Sequence, residues 1–226
     1  MKLELHTLYW DNVDPRIIDS HKKVTDHLGL DINYYHENTY HGLWMDLVLK
    51  NSTSDIIGFI DGDCVPLSKQ AVINAATYAG TNDSFIGIAQ VSNHIPPRSH
   101  IYAAPAFFFT TKKCWSRLNT SFGETVRCDV AEEYCYKAEQ ERVKYRCIFP
   151  TTFEMEPNEG LWPLHNYGYY GIGTTFGDYC YHLYQGRESK NIDLFVKRCN
   201  EIVDGTFNTS GMIPSTTMNY KGKIVR

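Results

Sequence analysis

The sequence predicts an α/β chain with a mostly parallel central sheet and helices on both faces. Three observations predict it. Strand-like apolar runs alternate with amphipathic helical runs through the first half. The run "DIIGFI" ending at Ile60 is almost continuously apolar, the pattern of a strand buried on both faces. A composition of 42% hydrophobic residues, with 16 Tyr among 226 residues, supplies a core and argues against disorder.

The elements follow in order. Leu3, Leu5 and Thr7 alternate with Glu4 and His6 and run into "LYW", a strand over roughly 2–9. Asp14 is a candidate N-cap with Pro15 at the first helical position, and that helix runs to about Leu28 and stops at Gly29. "LDINYY" is a strand, "HGLWMDLVLKNS" a short helix and "DIIGFI" the third strand. "PLSKQAVINAATYAG" reads as a helix ending at Gly80, and "SFIGIAQV" as the fourth strand. The second half is less regular. "PAFFFTTKKCW" gives a strand and a turn of helix. "CDVAEEYCYKAEQER" gives a helix, with Asp129 as N-cap and Glu132 as its capping-box partner. After the strand "YRCIF", the segment "EPNEGLWPLHNYGYYGIGTTFGD" reads as one long loop. Ile192, Phe195, Val196, Cys199, Ile202 and Val203 mark one face of a last helix. The tail after Gly205 has no periodicity and reads as loosely held.

Net charge is −4 and no basic stripe stands out, which excludes nucleic acid as the expected partner. An anionic substrate remains compatible with this balance, because a bound cation reverses the local field. The seven cysteines form no CxxC pair, and they read as free, mostly buried thiols of a reducing compartment. The N-terminus lacks the apolar core of a signal peptide. No apolar run nears the ~20 residues that cross a bilayer. The expectation is a soluble, cytoplasmic protein without a transmembrane segment, in which the sequons at Asn51, Asn82, Asn119 and Asn208 are chance.

The feature that carries chemistry is "IDGDCVP". Asp61 and Asp63 end a buried strand with only Gly62 between them. Like charges that close repel unless something positive sits beside them. Asp-Gly is also a common turn dipeptide. A third possibility is a hydrolase of the haloacid dehalogenase type, whose first motif has the same letters. That motif normally opens the domain, however, and the late acidic pair is reduced here to Asp178. The remaining reading is a divalent cation holding a nucleoside diphosphate, for which hard oxygen ligands suit Mg²⁺ or Mn²⁺.

In "GFIDGDCVP", "CDVAEEYCYKAEQ" and "FGDYCYHLYQGR", taken in that order, the chain resembles nucleotide-sugar-dependent glycosyltransferases of the GT-A fold, most closely family 2, over roughly residues 1–187. The resemblance implies a Rossmann-like domain spanning 1–226, with a nucleotide-sugar half to about 110, an acceptor half over 111–205 and a tail over 206–226. It implies Asp63 as a direct ligand of Mn²⁺ or Mg²⁺, and Asp61 on the sugar or ribose or on the metal through water. His182 would be the third ligand; its plain alternative is a half-buried strand histidine. Asp129 would be the general base, with Glu132 as the alternative. Tyr9 and Asp11 would lie near the nucleotide base and ribose, Asp46 near the donor and Arg187 on the diphosphate. Trp162, His165 and Tyr170 would cover the acceptor. Two departures stand out: Cys128-Asp129 replaces the Glu-Asp common in inverting members, and the Arg-Asn pair usual near Asp46 is missing. The implied function is transfer of a sugar from a nucleoside-diphosphate sugar to a glycan or other hydroxyl acceptor, with inversion. A metal-dependent phosphatase and a non-catalytic nucleotide- or sugar-binding protein are the alternatives.

Overall fold

Alternation along β1 (Leu3–Tyr9) sends Leu3, Leu5 and Thr7 to one face of the sheet and Glu4, His6 and Leu8 to the other. The computed structural model describes residues 1–92, 100–154, 160–186 and 189–217. β1 pairs in parallel with β2 (Ile32–His36) and with β3 (Ile56–Ile60), whose five residues are all buried. β3 then pairs antiparallel with β6 (Ile101–Thr111), β6 antiparallel with β5 (Phe85–Val91), and β5 parallel with β7 (Arg146–Ile148). The six-stranded order is β2-β1-β3-β6-β5-β7, with β6 alone reversed. The sheet is therefore mostly parallel, as expected.

Helices cover both faces. α3 (Lys69–Asn82) lies on the Ile56 side, so close that a Cβ on Gly80 would stand 2.5 Å from Met1 Cε and 2.9 Å from Ile56 Cδ1. Gly80 is thus a packing contact and not a helix stop. The helix runs on to Asn82 and ends at Asp83, which adopts the left-handed conformation. α2 (His41–Asn51) covers the opposite face, where Trp44 meets Phe59 edge-on at 5.4 Å. On that face too, α5 (Glu132–Gln140) brings Tyr134 to Phe108 at 6.1 Å. Each ring so buried contributes about 1.5–3 kcal/mol.

α1 (Pro15–His27) follows its local signals. The Asp14 side chain accepts from Arg16 N, Pro15 opens the helix, and Gly29 sits at φ 62 beyond its end. α4 (Lys112–Leu118) is the short helix expected after β6.

The second half differs from expectation. Its long loop is largely strand. β9 (Leu161–Pro163) pairs with β10 (Tyr169–Gly171). β8 (Thr152–Glu154), β11 (Gly173–Phe176), β12 (Cys180–Leu183), β4 (Cys64–Pro66) and β13 (Ile213–Pro214) form a second, antiparallel sheet in the order β13-β8-β11-β12-β4. β13 also ties down part of the tail that reads as loose. These strands are too short to show a period, and their pairing is set by partners far along the chain. α6 (Ser189–Val203) packs on α1 with Ile192, Phe195 and Cys199 in a shared core. Arg198, 7% exposed, bonds Glu154 at 3.1 Å and Glu201 at 2.6 Å, fastening α6 to β8. The seven cysteines are unpaired, and all but Cys147 are buried. Among the described residues, no helix is long and apolar enough to cross a membrane.

α1 meets the sheet through His21, which is fully buried with Nδ1 2.8 Å from the Tyr34 hydroxyl. Burial lowers its pKa from 6.5 to about 4, against the opposing influence of Asp63. The folded state holds the neutral ring, so the unfolded chain takes up the proton first as pH falls. The stability from this site is full above pH 6.5 and is lost as pH falls towards 4, by about 3 kcal/mol in all. Urea unfolding at a series of pH values checks this: His21→Gln loses that much less stability than the wild type between pH 7 and 4.

Candidate active site

Asp61, Gly62 and Asp63 occupy the seam where the chain leaves β3 and enters β4. Their backbone is clamped on both sides. Asp61 N donates to Ala106 O at 2.9 Å, Cys64 N to Asp61 O at 2.9 Å, and Leu183 N to Asp63 O at 2.9 Å. The seam lies at the carboxyl end of a central strand, where α/β sheets bind ligands. An open cleft of about 320 Å³ lies over it. Its walls include Tyr9 and Trp10 after β1, Tyr40 and His41 at the start of α2, Val130 before α5, and Gly186 after β12.

Two imidazoles face the two carboxylates. His182 stands opposite Cys64 in the β4–β12 register, and its Nε2 lies 3.5 Å from Asp63 Oδ1. The His41 Nε2 lies 3.4 Å from Asp61 Oδ1. His41 Nε2 is a buried nitrogen without a hydrogen-bond partner, and so is the other His182 ring nitrogen, Nδ1, which points away from the Asp63 contact. Burial pushes the Asp61 carboxyl above its usual range, opposed by His41, reinforced by Asp63 and opposed again by His182. Behind His182 the Tyr184 ring packs edge-on at 4.1 Å, with its hydroxyl buried and unpartnered. A site with two acidic oxygen donors and underused imidazoles suits a hard cation. Among the described residues, no three His, Cys, Asp or Glu side chains form a group that could hold a metal ion.

The structure gathers some of the predicted residues and separates others. Asp61, Asp63 and Tyr9 line the cleft, and His182 is buried beside Asp63. The Tyr9 ring stacks on His36 at 4.7 Å. Asp11 turns outward, almost fully exposed, and bonds His36 Nε2 at 2.6 Å. Asp46 lies away from the cleft and is engaged structurally. It accepts from Trp115 Nε1 at 3.1 Å, Ser121 Oγ at 2.6 Å and Phe122 N at 3.1 Å, which fixes the segment before α5. Arg187 lies outside the described residues.

Asp129 stands beside the cleft, next to the lining residue Val130. It is not the N-cap. Ala131 at φ 69 turns the chain, so the helix starts only at Glu132. One Asp129 oxygen accepts from Val130 N at 2.8 Å and the other from the Tyr102 hydroxyl at 3.2 Å. Glu132 does keep half of the expected capping box. Its Oε2 accepts from Asp129 N at 2.9 Å, while Oε1 faces His100 Nδ1 at 3.3 Å. Buried and bonded on both oxygens, Glu132 holds Asp129 in place. Tyr170 is fully buried against Ala89, Val91 and Leu164, so it is core. Trp162 stacks on it at 5.5 Å. His165 sits in a short 3-10 turn with φ 51.

His41 was missed by sequence reasoning, because a His opening a helix carries no local signal. Gly186 was missed too: a Cβ there would stand 3.1 Å from Asp63 Oδ2, so its bareness leaves room beside that oxygen.

No family model matches the chain, and no curated protein matches it. Several solved structures are similar to parts of it. Residues 1–349 of S. aureus TarS share 14% identity at a TM-score of 0.40, over 61% of this chain and 55% of that one, so the chain spans about half the length of that protein. A glycosyltransferase involved in the glycosylation of the major capsid of PBCV-1 shares 12% at 0.36, over 67% of this chain and 84% of that one. The 4-diphosphocytidyl-2C-methyl-D-erythritol synthase of Anaerococcus prevotii shares 13% at 0.40, over 65% and 86%. Such partial likenesses decide nothing about activity.

A pair of clamped carboxylates with no cation beside them costs stability. Asp61→Asn therefore raises the stability of the ligand-free protein by about 1–2 kcal/mol. Thermal melting without added metal reads this directly, and a lower melting temperature would refute the strain argued here.

Proposed function

We propose that the chain is a metal-dependent glycosyltransferase of GT-A type that moves a sugar from a nucleoside-diphosphate sugar to a hydroxyl acceptor with inversion. One observation carries this reading: Asp61 and Asp63 lie at the carboxyl end of a central strand, open onto a cleft, with His182 Nε2 3.5 Å from Asp63. Asp63 and His182 are the direct ligands in this reading, and Asp61 reaches the ion through water or holds a ribose or sugar hydroxyl. Mn²⁺ or Mg²⁺, when bound, neutralises the charge that develops on the departing diphosphate.

The chain's own residues do the rest. Tyr9 and Trp10 wall the end of the cleft formed by β1, where a nucleoside would rest. His41, at the first turn of α2, offers a ring N–H to a phosphate oxygen and stands in for the missing Arg-Asn pair. Asp129 takes the proton of the acceptor hydroxyl. The freed oxygen forms a bond to the anomeric carbon as the bond from that carbon to the diphosphate oxygen breaks on the opposite face. The diphosphate leaves with the electron pair, and charge at the sugar passes through an oxocarbenium-like state. Tyr102 and Glu132 keep Asp129 aimed. The phosphatase alternative loses support, because Asp178 lies exposed in the turn between β11 and β12 and is not among the cleft-lining residues.

The test is a melting screen of UDP, GDP, CDP and dTDP and their sugar conjugates, with and without Mn²⁺. One nucleotide family, in the presence of Mn²⁺ and at ~100 times its dissociation constant, adds ~2.7 kcal/mol of stability. Asp63→Ala removes that gain. Asp129→Asn keeps it but lowers turnover by about 10²–10⁴-fold. Equal nucleotide binding by Asp63→Ala and wild type would sink the proposal.

A further inference from the structure

A second groove lies on the same face of the sheet, at the far end of α2 from the cleft. It has a volume of about 440 Å³, and its lining includes Glu4, His6, Asn33, Tyr35, Trp44 and Leu47. Its position makes its chemistry unusual. A sheet face covered by a helix is normally apolar, yet β1 and β2 send Glu4, His6, Asn33 and Tyr35 to this one.

The groove floor is unsatisfied. His6 is 4% exposed and Trp44 is 3% exposed. Both His6 ring nitrogens and Trp44 Nε1 are buried without a hydrogen-bond partner. His6 Nε2 stops 3.7 Å short of Glu4 Oε2. Each such orphan has lost its water without gaining a partner. Phe59 closes the inner side of both rings, at 6.1 Å from His6 and 5.4 Å from Trp44. The groove is thus the side from which a partner can reach them, past the partly exposed Tyr35 ring and Leu47.

The donors and acceptors define the occupant. Trp44 Nε1 can only donate, and a neutral His6 offers one donor and one acceptor. Glu4 accepts the Ser52 hydroxyl at 2.6 Å on one oxygen and Lys2 Nζ at 3.1 Å on the other; Ser52 first, then Ser54 and Lys2, hold its pKa down to about 2, so it is a carboxylate with a lone pair left on each oxygen. Asn33 spends one of its two amide N–H groups on Leu5 O at 3.1 Å and keeps an oxygen to accept. An anion would meet Glu4 and also Glu37, which lines the groove as well. A cation would leave the Trp44 donor unpaired. A group that both donates and accepts satisfies the whole set, and the hydroxyl is such a group.

We propose that this groove binds a neutral polyhydroxylated ligand, a sugar or polyol, at a site separate from the Asp61–Asp63 cleft. The proposal does not rest on the transferase reading. The experiment is ¹H–¹⁵N NMR of the Trp indole N–H signals, with Trp44 assigned by Trp44→Phe. The full chain is titrated with glucose, N-acetylglucosamine, myo-inositol and maltotriose, and separately with tetramethylammonium. The expected result is a saturable shift of the Trp44 signal with at least one of the neutral ligands. That shift is unchanged in Asp63→Ala and weakened about tenfold or more in Glu4→Gln. Leu47→Trp, which blocks the groove from an exposed position, abolishes it without disturbing the core. Four outcomes would overturn the proposal: no saturable shift with any neutral ligand, a response to tetramethylammonium alone, an undiminished response in Leu47→Trp, or loss of the response in Asp63→Ala.

Discussion

Asp61 and Asp63 cannot move apart. Each is anchored by a backbone hydrogen bond to a different sheet, Asp61 to β6 and Asp63 to the residue ending β12. Gly62 between them is pinned as well, since a Cβ there would stand 2.6 Å from Ile18 Cδ1 on α1. An exposed pair of like charges relaxes by swinging into water; this one is held where burial already raises the Asp61 pKa. The second sheet depends on the same seam. β4 is its edge strand, and the pairing of β4 with β12 is what carries His182 back to a motif more than a hundred residues earlier.

The cleft over the seam is assembled from ends of elements and not from their middles. The end of β1, the start of α2, the turn before α5 and the turn after β12 all meet there. Segment ends carry free backbone groups and short side-chain reach, which suits them to positioning. Asp129 and Glu132 show the division of labour this permits. Glu132 spends one oxygen on Asp129 N and faces His100 with the other, which holds the segment that carries Asp129. Asp129 accepts from Val130 N and from the Tyr102 hydroxyl, beside the cleft-lining Val130.

Local chemistry made part of this legible in the sequence. Asp14, Pro15 and Gly29 bound α1 because capping is decided within a few residues, and β3 announces itself by five buried positions in a row. Asp61 and Asp63 were visible as a charge anomaly at the end of an apolar run. What depends on distant partners was not visible. Gly80 has the identity of a helix stop, but it is required by Met1 and Ile56. Asp46 has the identity of a binding residue, but its carboxylate is consumed by Trp115, Ser121 and Phe122. The strands between 161 and 183 are three or four residues each, too short for a period of two to declare itself. The polar face of β1 was present as Glu4 and His6, yet ordinary alternation predicts the same letters for a half-exposed strand.

Buried polar groups in this chain fall into two kinds, and the contrast separates structure from chemistry. Arg198 is buried, but Glu154 and Glu201 answer its charge, and the network joins α6 to the second sheet. Removing one partner would strand a buried charge, so that cluster belongs to stability. Buried ring nitrogens of His41, His182, His6 and Trp44 have no hydrogen-bond partner. Two flank the aspartate pair, and two floor the groove at the far end of α2. Tyr35 and Trp44 pack edge-on at 5.5 Å, and Trp44 lies 5.8 Å from His41, so one row of rings links the two places. Folding alone would favour pairing or removing such groups. His41 and Trp44 on α2, with His182 on β12 and His6 on β1 beside them, are the physical reason for reading both ends of α2 as places where something from outside the chain completes the hydrogen bonding.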